Sequence, residues 1–194
     1  AFGNSWFQEV PLVEITTKVK GPVVITAAGS KMEMTVPDDI AIESPSMKEY
    51  VELVDIPMVF CGFGIVAPEY GWNDFSAVDV KGKCAVVLIN DPGLYTGDSA
   101  LFRGKTMTYY GRWTCKYEEA ARQGAAAILI IHETAGAGYD YSIPRKSSIS
   151  PGLYQEPAPG DPEPCPVTGW ISAGAADRLF GALGHDIEKL RREA

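Results

Sequence analysis

The sequence predicts a mixed α/β domain, and three features of its patterning predict that class. In the second half, two apolar strands at residues 85–90 and 125–133 flank a helical segment. The first half contains short runs rich in Val, Ile and Met, separated by Gly, Pro, Asp and Ser, which is typical of β structure. Near the end, a further strand, VTGWIS, precedes an amphipathic helix, AGAADRLFGALG.

The strand–helix–strand unit is the most informative part of the chain. It reads AVVLIN, then the helix TCKYEEAARQ, then AAAILIIHE. Two strands joined through a helix are expected to be parallel neighbours in one sheet, with a right-handed crossover. Thr114 is the expected N-cap of the helix, and Gly124 the expected residue beyond its C-cap. Five residues are spaced to form the face that packs on the sheet: Trp113, Tyr117, Ala120, Ala121 and Gly124.

The loop that precedes this helix is far longer than a usual connection. It runs over residues 91–113, whereas strand-to-helix connections generally take about two to six residues. Ligands of α/β sheets usually bind at the carboxyl ends of the strands, where this loop begins. The loop carries six basic and aromatic candidate contact residues: Arg103, Lys105, Tyr109, Tyr110, Arg112 and Trp113. Arginine can pair with a carboxylate and the rings supply apolar contact; the alternative is a surface loop whose rings fold back on the domain.

The remaining segments are predicted from local pattern. Five runs in the first half are expected to be strands: residues 10–17, 22–27, 32–36, 50–56 and 58–65. Hairpin turns are expected at residues 28–30 and 37–39. The proline-rich stretch from 133 to 166 has no apolar period and is expected to be loop. The last helix is expected to bury Leu179, Phe180 and Leu183.

Composition excludes some classes of function. The formal net charge of −8 argues against a nucleic-acid-binding protein, which needs a basic surface. No apolar run reaches the length of about 18 residues that spans a bilayer, so we expect no membrane insertion. The four cysteines, at 61, 84, 115 and 165, lack the close spacing of zinc or thioredoxin motifs. They are either buried free thiols or form one or two disulfides, and three connectivities are open.

The sequence contains no complete catalytic or metal-binding motif. His132 and His185 are its only histidines, and Gly136 stands where an HExxH motif would place the second histidine. No G-x-S-x-G segment supplies an exposed serine nucleophile. Asp91 and Asp98 could offer oxygens to calcium, but their spacing matches no EF-hand, and we interpret that stretch as turns. We therefore assign no catalytic residue, metal ligand or cofactor to this chain.

Several phrases resemble a known family. They are GFGIVAPEYGW, DVKGK, MTYYGRW and EEAARQGA, followed by VTGWIS and its helix. Together they resemble the protease-associated (PA) domain, in particular the one inserted in bacterial secreted zinc aminopeptidases, which are relatives of glutamate carboxypeptidase and the transferrin receptor. The resemblance covers residues 59–184, and SWFQEVPLVE resembles the segment that leads into that insert.

The resemblance implies a fold, a domain organisation and a location. The fold would be a β-sandwich or open barrel with two flanking helices. Residues 1–22 would be a lead-in segment from the parent peptidase, 23–184 the PA domain, and 185–194 a charged tail that leads back to the catalytic domain. The protein would be periplasmic or secreted by a bacterium. Two zinc ions are expected in the peptidase domain, which is not in this chain.

The resemblance also implies an accessory function. The domain would cap the active-site cleft of its parent aminopeptidase and contribute to substrate selection without being an enzyme itself. Its partners would be the peptidase domain of the parent chain and the peptide substrate. In carboxypeptidase-like relatives, a PA-domain arginine just before this helix reaches the substrate cleft, and Arg112 is the nearest counterpart. Two alternatives stay open, a module that recruits a protein or peptide partner and a structural spacer.

Overall fold

The computed structural model describes residues 6–193, which form a central five-stranded sheet, three small two-stranded sheets and short helices. The strands are β1 (Leu12–Ile15), β2 (Val23–Ala27), β3 (Ser30–Met34), β4 (Ile40–Glu43), β5 (Met58–Phe60), β6 (Val66–Ala67), β7 (Trp72–Asn73), β8 (Cys84–Leu88), β9 (Ala127–Ile131), β10 (Gly152–Gln155) and β11 (Val167–Ile171). The helices are α1 (Pro92–Thr96), α2 (Trp113–Arg122), α3 (Thr134–Ala137), α4 (Ser142–Ser147), α5 (Ala173–Ala182) and α6 (Ile187–Glu193). The mixed α/β class is confirmed.

The central sheet has the strand order β4-β11-β9-β8-β5. Strands β5, β8, β9 and β11 are parallel, and β4 pairs antiparallel with β11 at one edge. Strands β8 and β9 are direct neighbours, with Cys84 opposite Ala127, and α2 connects them. The predicted parallel strand–helix–strand unit is therefore confirmed.

Both faces of this sheet are covered, because side chains of each central strand alternate between two hydrophobic clusters. In β8, Val86 and Leu88 pack in the cluster that contains Leu179 of α5. Val87 packs in the other cluster, with Ala120 of α2. All five residues of β8 and of β9 are buried, as expected for parallel strands between two layers. The carboxyl end of β8 is therefore held rigidly where the long loop begins.

The small sheets follow local turn chemistry and long-range pairing. Strands β2 and β3 form a hairpin through Ala28 and Gly29, whose φ angles are 49° and 77°, so the predicted turn at 28–30 is confirmed. Residues 37–39 also turn, but they connect strands of different sheets and not a hairpin. Strand β1 pairs with β10, so residues before 22 contact the segment near 153.

Three further local predictions, on a strand, a loop and the last amphipathic helix, are wrong. Residues 50–56 form no strand. The stretch expected to be loop contains α3, α4 and β10, because Glu133 caps α3 through its side chain and β10 finds its partner at the other end of the chain. Leu183 is 48% exposed because α5 ends one residue earlier, whereas Leu179 and Phe180 are buried as expected.

The predicted N-cap of α2, Thr114, is wrong, because the helix begins at Trp113. Arg112 is its N-cap, with an extended backbone and no side-chain capping bond, and Trp113 is 43% exposed. The buried residues of the helix are Cys115, Lys116, Glu119 and Ala120. Tyr117 and Ala121 pack partly buried against the same cluster as Ala120, so these three residues of the predicted face are confirmed and Trp113 is not. Gly124 follows the C-cap with a φ of 71°, as predicted.

The structure also shows the state of the cysteines and the packing of the last helix. All four cysteines are free and buried, and burial raises the pKa of the Cys84 thiol to about 12. Helix α6 contacts α1 and α5, and its Ile187 belongs to the main hydrophobic cluster. Across residues 6–193, no helix has the length and apolar character needed to cross a membrane.

Candidate functional site

The long loop lines an open pocket of about 420 Å³. Four of the six candidate residues lie in its wall: Arg103, Tyr109, Tyr110 and Arg112. The rest of the wall consists of Glu69, Tyr70, Thr106, Met107 and Thr108. Lys105 and Trp113 do not line it; Trp113 instead packs edge-on against Tyr117 at 5.4 Å. The structure therefore brings together most of the predicted contact residues and adds Glu69 and Tyr70 from a distant segment.

Phe102 anchors the middle of the loop. It is fully buried, stacks on Tyr70 with ring centroids 4.4 Å apart, and meets Trp72 and Tyr110 edge-on at 5.7 Å each. Phe102 and Arg103 both have left-handed φ angles, 47° and 61°, which are unfavourable for residues with a Cβ. Burial of the ring offsets this cost, and the reversal lets Phe102 point inward while the next residue, Arg103, lines the pocket.

A network of hydrogen bonds connects Thr108 of the pocket wall to the residues that follow β8. The side chain of Asp91 accepts hydrogen bonds from the main-chain nitrogen and the hydroxyl of Thr108, at 3.2 and 2.8 Å. The main-chain nitrogen of Asn90 donates to the carbonyl of Gly111 at 3.1 Å. The side-chain amide of Asn90 donates to the carbonyl of Gly136 at 2.8 Å. These bonds fix both ends of the short turn at 109–111, which carries Tyr109 and Tyr110.

Lys116 lies beneath this network and is fully buried. Its ammonium group donates to the main-chain oxygen of Asn90 at 2.8 Å. Burial lowers the pKa of Lys116 to about 7, against a smaller opposing influence of nearby groups that include Asp74 and Asp91. Asp91 is also fully buried, and its Oδ1 has no hydrogen-bond partner among the described residues.

Lys116 and Glu69 were not predicted from the sequence as parts of this site. Lys116 is four residues before Ala120, so it shares the face of α2 that packs inward, and a charged residue at that spacing was the available signal. Glu69 had no local signal, because it reaches the pocket through the contact of the β6–β7 segment with the loop.

Two tyrosines of the pocket are held by carboxylates. The hydroxyl of Tyr110 donates to Oε1 of Glu69 at 2.7 Å, and this hydrogen bond raises the pKa of Tyr110 to about 12. The hydroxyl of Tyr109 donates to both carboxylate oxygens of Glu118 at 2.8 Å, which raises the pKa of Tyr109. Both rings are therefore fixed as uncharged donors and apolar walls.

The two arginines of the pocket are available for a ligand. Within residues 6–193, neither the Arg103 nor the Arg112 guanidinium forms a hydrogen bond or an ion pair, and the carboxylate of Glu69 pairs with neither of them. Both side chains are exposed. Two unpaired guanidinium groups in a concave, partly aromatic wall can bind a carboxylate through charge-assisted hydrogen bonds.

The two histidines lie apart from this pocket. His132 is buried beyond β9 against Tyr139, Tyr141 and Trp170, and its Nε2 has no partner among the described residues. Burial lowers its pKa. His185 is exposed. In the part of the chain that the structure describes, no three His, Cys, Asp or Glu side chains are grouped so that they could hold a metal ion.

Asp98, the second oxygen donor considered for calcium, serves a turn. Its Oδ1 accepts a hydrogen bond from the main-chain nitrogen of Ala100 at 2.9 Å. Asp91 instead holds Thr108. The two carboxylates therefore have different structural partners. The interpretation of this stretch as turns holds only around Asp98, because Pro92–Thr96 forms the helix α1.

Comparison with known proteins adds no assignment. No protein-family model matches the chain, and no curated protein matches it.

Proposed function

We propose that the chain is an accessory domain of the PA type from a zinc-dependent aminopeptidase. In this proposal it caps the active-site cleft of the parent enzyme and contributes to substrate selection through the pocket described above. The domain would have no peptidase activity alone, and the parent enzyme would be periplasmic or secreted by a bacterium. Its partners would be the peptidase domain and the peptide substrate.

The observation that carries this proposal is the pair of unpaired arginines in the pocket. Arg103 and Arg112 line one concavity of about 420 Å³ together with Tyr109 and Tyr110. A peptide offers a carboxylate for the guanidinium groups and apolar side chains for the rings. Such a surface suits selection and positioning of a peptide.

The positions of the family-like phrases also support the proposal. The phrase GFGIVAPEYGW contains Glu69 and Tyr70, and the phrase MTYYGRW contains Tyr109, Tyr110 and Arg112. The two phrases are about forty residues apart in sequence, yet both supply residues that line a single pocket. Two of the phrases that resemble the PA domain thus contribute to this site. The central sheet with α2 and α5 on opposite faces is a mixed α/β arrangement, and the finer sandwich or open-barrel form that the resemblance implies stays a prediction.

The residues of this chain do not fit a two-zinc centre. His132 is enclosed by aromatic rings, His185 is exposed elsewhere, and within residues 6–193 no metal-binding group is formed. In the proposal, both zinc ions belong to the peptidase domain. This chain would then supply only binding and orientation of the substrate.

Steady-state kinetics of the parent peptidase test this proposal. Arg112→Ala should raise KM for peptides with a free carboxylate by about tenfold, the effect of losing one charge-assisted hydrogen bond, with kcat little changed. Lys105→Ala is the matched control, because Lys105 lies in the same loop but outside the pocket wall. Equal KM values for the wild type, Arg112→Ala and Lys105→Ala on a peptide panel would contradict the proposal.

A module that binds a peptide or protein partner is the second candidate. It is favoured by the fact that the pocket is open and its arginines are exposed in this chain by itself. It predicts that the isolated chain binds peptides measurably while Arg112→Ala leaves the kinetics of the parent enzyme unchanged. The two candidates therefore differ in the result for Arg112→Ala. The KM of the parent enzyme rises if the domain caps the cleft, and it stays unchanged if the domain is a separate binding module.

A further inference from the structure

We propose that Glu69 makes the pocket selective for a peptide end that presents an ammonium group together with its carboxylate. This inference rests on the proposed function, because it assigns a second charged group to the ligand of the same pocket. It adds Glu69 as a specificity-determining residue in the same pocket wall as Arg103 and Arg112.

Positive and negative groups of the pocket wall do not pair with each other. Glu69, Arg103 and Arg112 all line it, yet neither guanidinium pairs with the Glu69 carboxylate. Opposite charges that share a concavity usually pair with each other unless other contacts hold them apart. Here the wall keeps one negative and two positive groups free to meet complementary groups of a ligand.

A hydrogen bond and a tight turn hold Glu69 in position. Its Oε1 accepts the hydrogen bond from Tyr110, whereas its Oε2 has no partner among the described residues. Glu69 lies in the one-turn 3-10 helix Pro68–Tyr70, which Gly71 ends in a left-handed conformation with its nitrogen bonded to the carbonyl of Pro68. Tyr70 of the same turn stacks on the buried Phe102. The carboxylate is thus preorganised, with one oxygen left for a ligand.

The chemistry of the free groups defines the ligand. A guanidinium group binds a carboxylate through two parallel hydrogen bonds, and an ammonium group donates up to three hydrogen bonds to acceptors such as Oε2 of Glu69. A pocket of about 420 Å³ accommodates a short peptide segment. The ammonium group can come from a lysine side chain near the carboxyl end or from a free α-amino group. Both sources present the same chemistry to Glu69, so the experiment must separate them.

Calorimetric titration of the chain with short peptides tests the inference. The probes are N-acetyl-Ala-Ala-Lys, N-acetyl-Ala-Ala-Leu, their C-terminal amides, and Ala-Ala-Leu with a free amino group. The lysine peptide should bind about fivefold more tightly than the acetylated leucine peptide, the effect expected of one exposed ion pair. An equal gain for unacetylated Ala-Ala-Leu would identify the α-amino group as a source, and a gain for the lysine peptide alone would identify the side chain.

Glu69→Gln supplies the decisive comparison. The glutamine side chain retains an oxygen that accepts the bond from Tyr110, but it removes the negative charge, so the fivefold preference should vanish while the leucine peptide still binds. Glu118→Gln is the matched control, because Glu118 holds the neighbouring Tyr109 but lies outside the pocket wall. This variant should keep the preference.

The outcomes that overturn the inference differ from those that overturn the proposed function. If the ammonium-bearing peptides bind no better than acetylated leucine peptide, or if Glu69→Gln keeps the preference, the role of Glu69 is wrong. The proposed function survives that result as long as the acids bind more tightly than their amides. If acids and amides bind equally, the carboxylate site itself is wrong, and both proposals fail.

Discussion

The ammonium group of Lys116 donates a hydrogen bond of 2.8 Å to the main-chain oxygen of Asn90, although Lys116 is fully buried. This contact joins the inner face of α2 to the last residue before the long loop. Asn90 in turn forms a hydrogen bond with Gly111, and the adjacent Asp91 forms one with Thr108. The buried ammonium group of Lys116 therefore supports this part of the pocket wall through Asn90. Buried polar groups without partners are costly, so substitution of Lys116 is expected to lower the free energy of unfolding.

Lys116→Met should lower the free energy of unfolding by about 2–4 kcal/mol. Methionine fills a similar volume, but the oxygen of Asn90 loses its donor and the buried Asp91 loses a nearby cation. Urea denaturation measures the change. Lys105→Met, an exposed position in the same loop, is the control and should change stability by less than about 0.5 kcal/mol. Equal stabilities of the two variants would contradict a structural role for the buried ammonium group.

The stability of the protein should also depend on pH through Lys116. Its folded-state pKa of about 7 lies below its ordinary value, so the unfolded chain binds more protons once the pH exceeds about 7. Protonation of the buried Lys116 amine therefore costs stability most below pH 7, and this cost shrinks as the pH rises, by up to about 1.4 kcal/mol per pH unit. Buried thiols such as Cys84 act in the opposite direction in more alkaline solution, because burial raises their pKa.

The difference between the wild type and Lys116→Met isolates the lysine from these thiols. Between about pH 7 and 8.5, the stability of the wild type should rise relative to that of the variant. Urea denaturation at several pH values in this window gives the comparison. A difference that is constant across the window would show that Lys116 does not change its protonation there.

Phe102→Ala should lower the free energy of unfolding by about 3–5 kcal/mol, because it removes a fully buried ring that contacts Tyr70, Trp72 and Tyr110. Phe102→Leu keeps most of the apolar volume and should cost less than about 1.5 kcal/mol. Thermal or chemical denaturation separates the two variants. If both cost the same small amount, the loop is not anchored by this ring.

Gly169→Ala should destabilise the edge of the main sheet by about 1–3 kcal/mol. A Cβ at Gly169 of β11 would lie 2.5 Å from the carbonyl oxygen of Ala41 and 3.0 Å from the Cα of Ile42, both main-chain atoms of the paired strand β4. Gly181→Ala is the matched control, because a Cβ there meets nothing within 4 Å and alanine favours helix, which should add about 0.5–1 kcal/mol to stability. Melting temperatures that move in the same direction for both variants would contradict the described packing.

The local elements could be predicted from the sequence because their signals are local. The parallel pair β8–β9, the turn at Ala28 and Gly29, and the end of α2 at Gly124 each follow from apolar runs or from backbone conformations that nearby residues specify. The loop was singled out for a related reason, because it is unusually long and begins at the carboxyl end of a buried parallel strand. Four of its candidate residues line one pocket, and their role as ligand contacts stays a prediction.

Features that depend on distant partners could not be predicted in this way. Strand β10 was expected to be loop, because its partner β1 lies at the other end of the chain and the sequence of neither segment specifies the other. Glu69 enters the pocket only because Tyr70 stacks on Phe102 across the fold. Lys116 is buried because Asn90 offers an acceptor in the interior, and a lysine in a helix ordinarily indicates a solvent-facing position.

Comparison of a peptide acid with its amide tests the central claim most directly. The claim is that Arg103 and Arg112 bind a peptide carboxylate in the pocket. In calorimetric titrations of the chain, N-acetyl-Ala-Ala-Leu should bind about tenfold more tightly than its C-terminal amide. This ratio should fall close to one in the double variant Arg103→Ala/Arg112→Ala and persist in Lys105→Ala. Equal affinities of acid and amide for the wild type, or a preference that survives in the double variant, would contradict the claim.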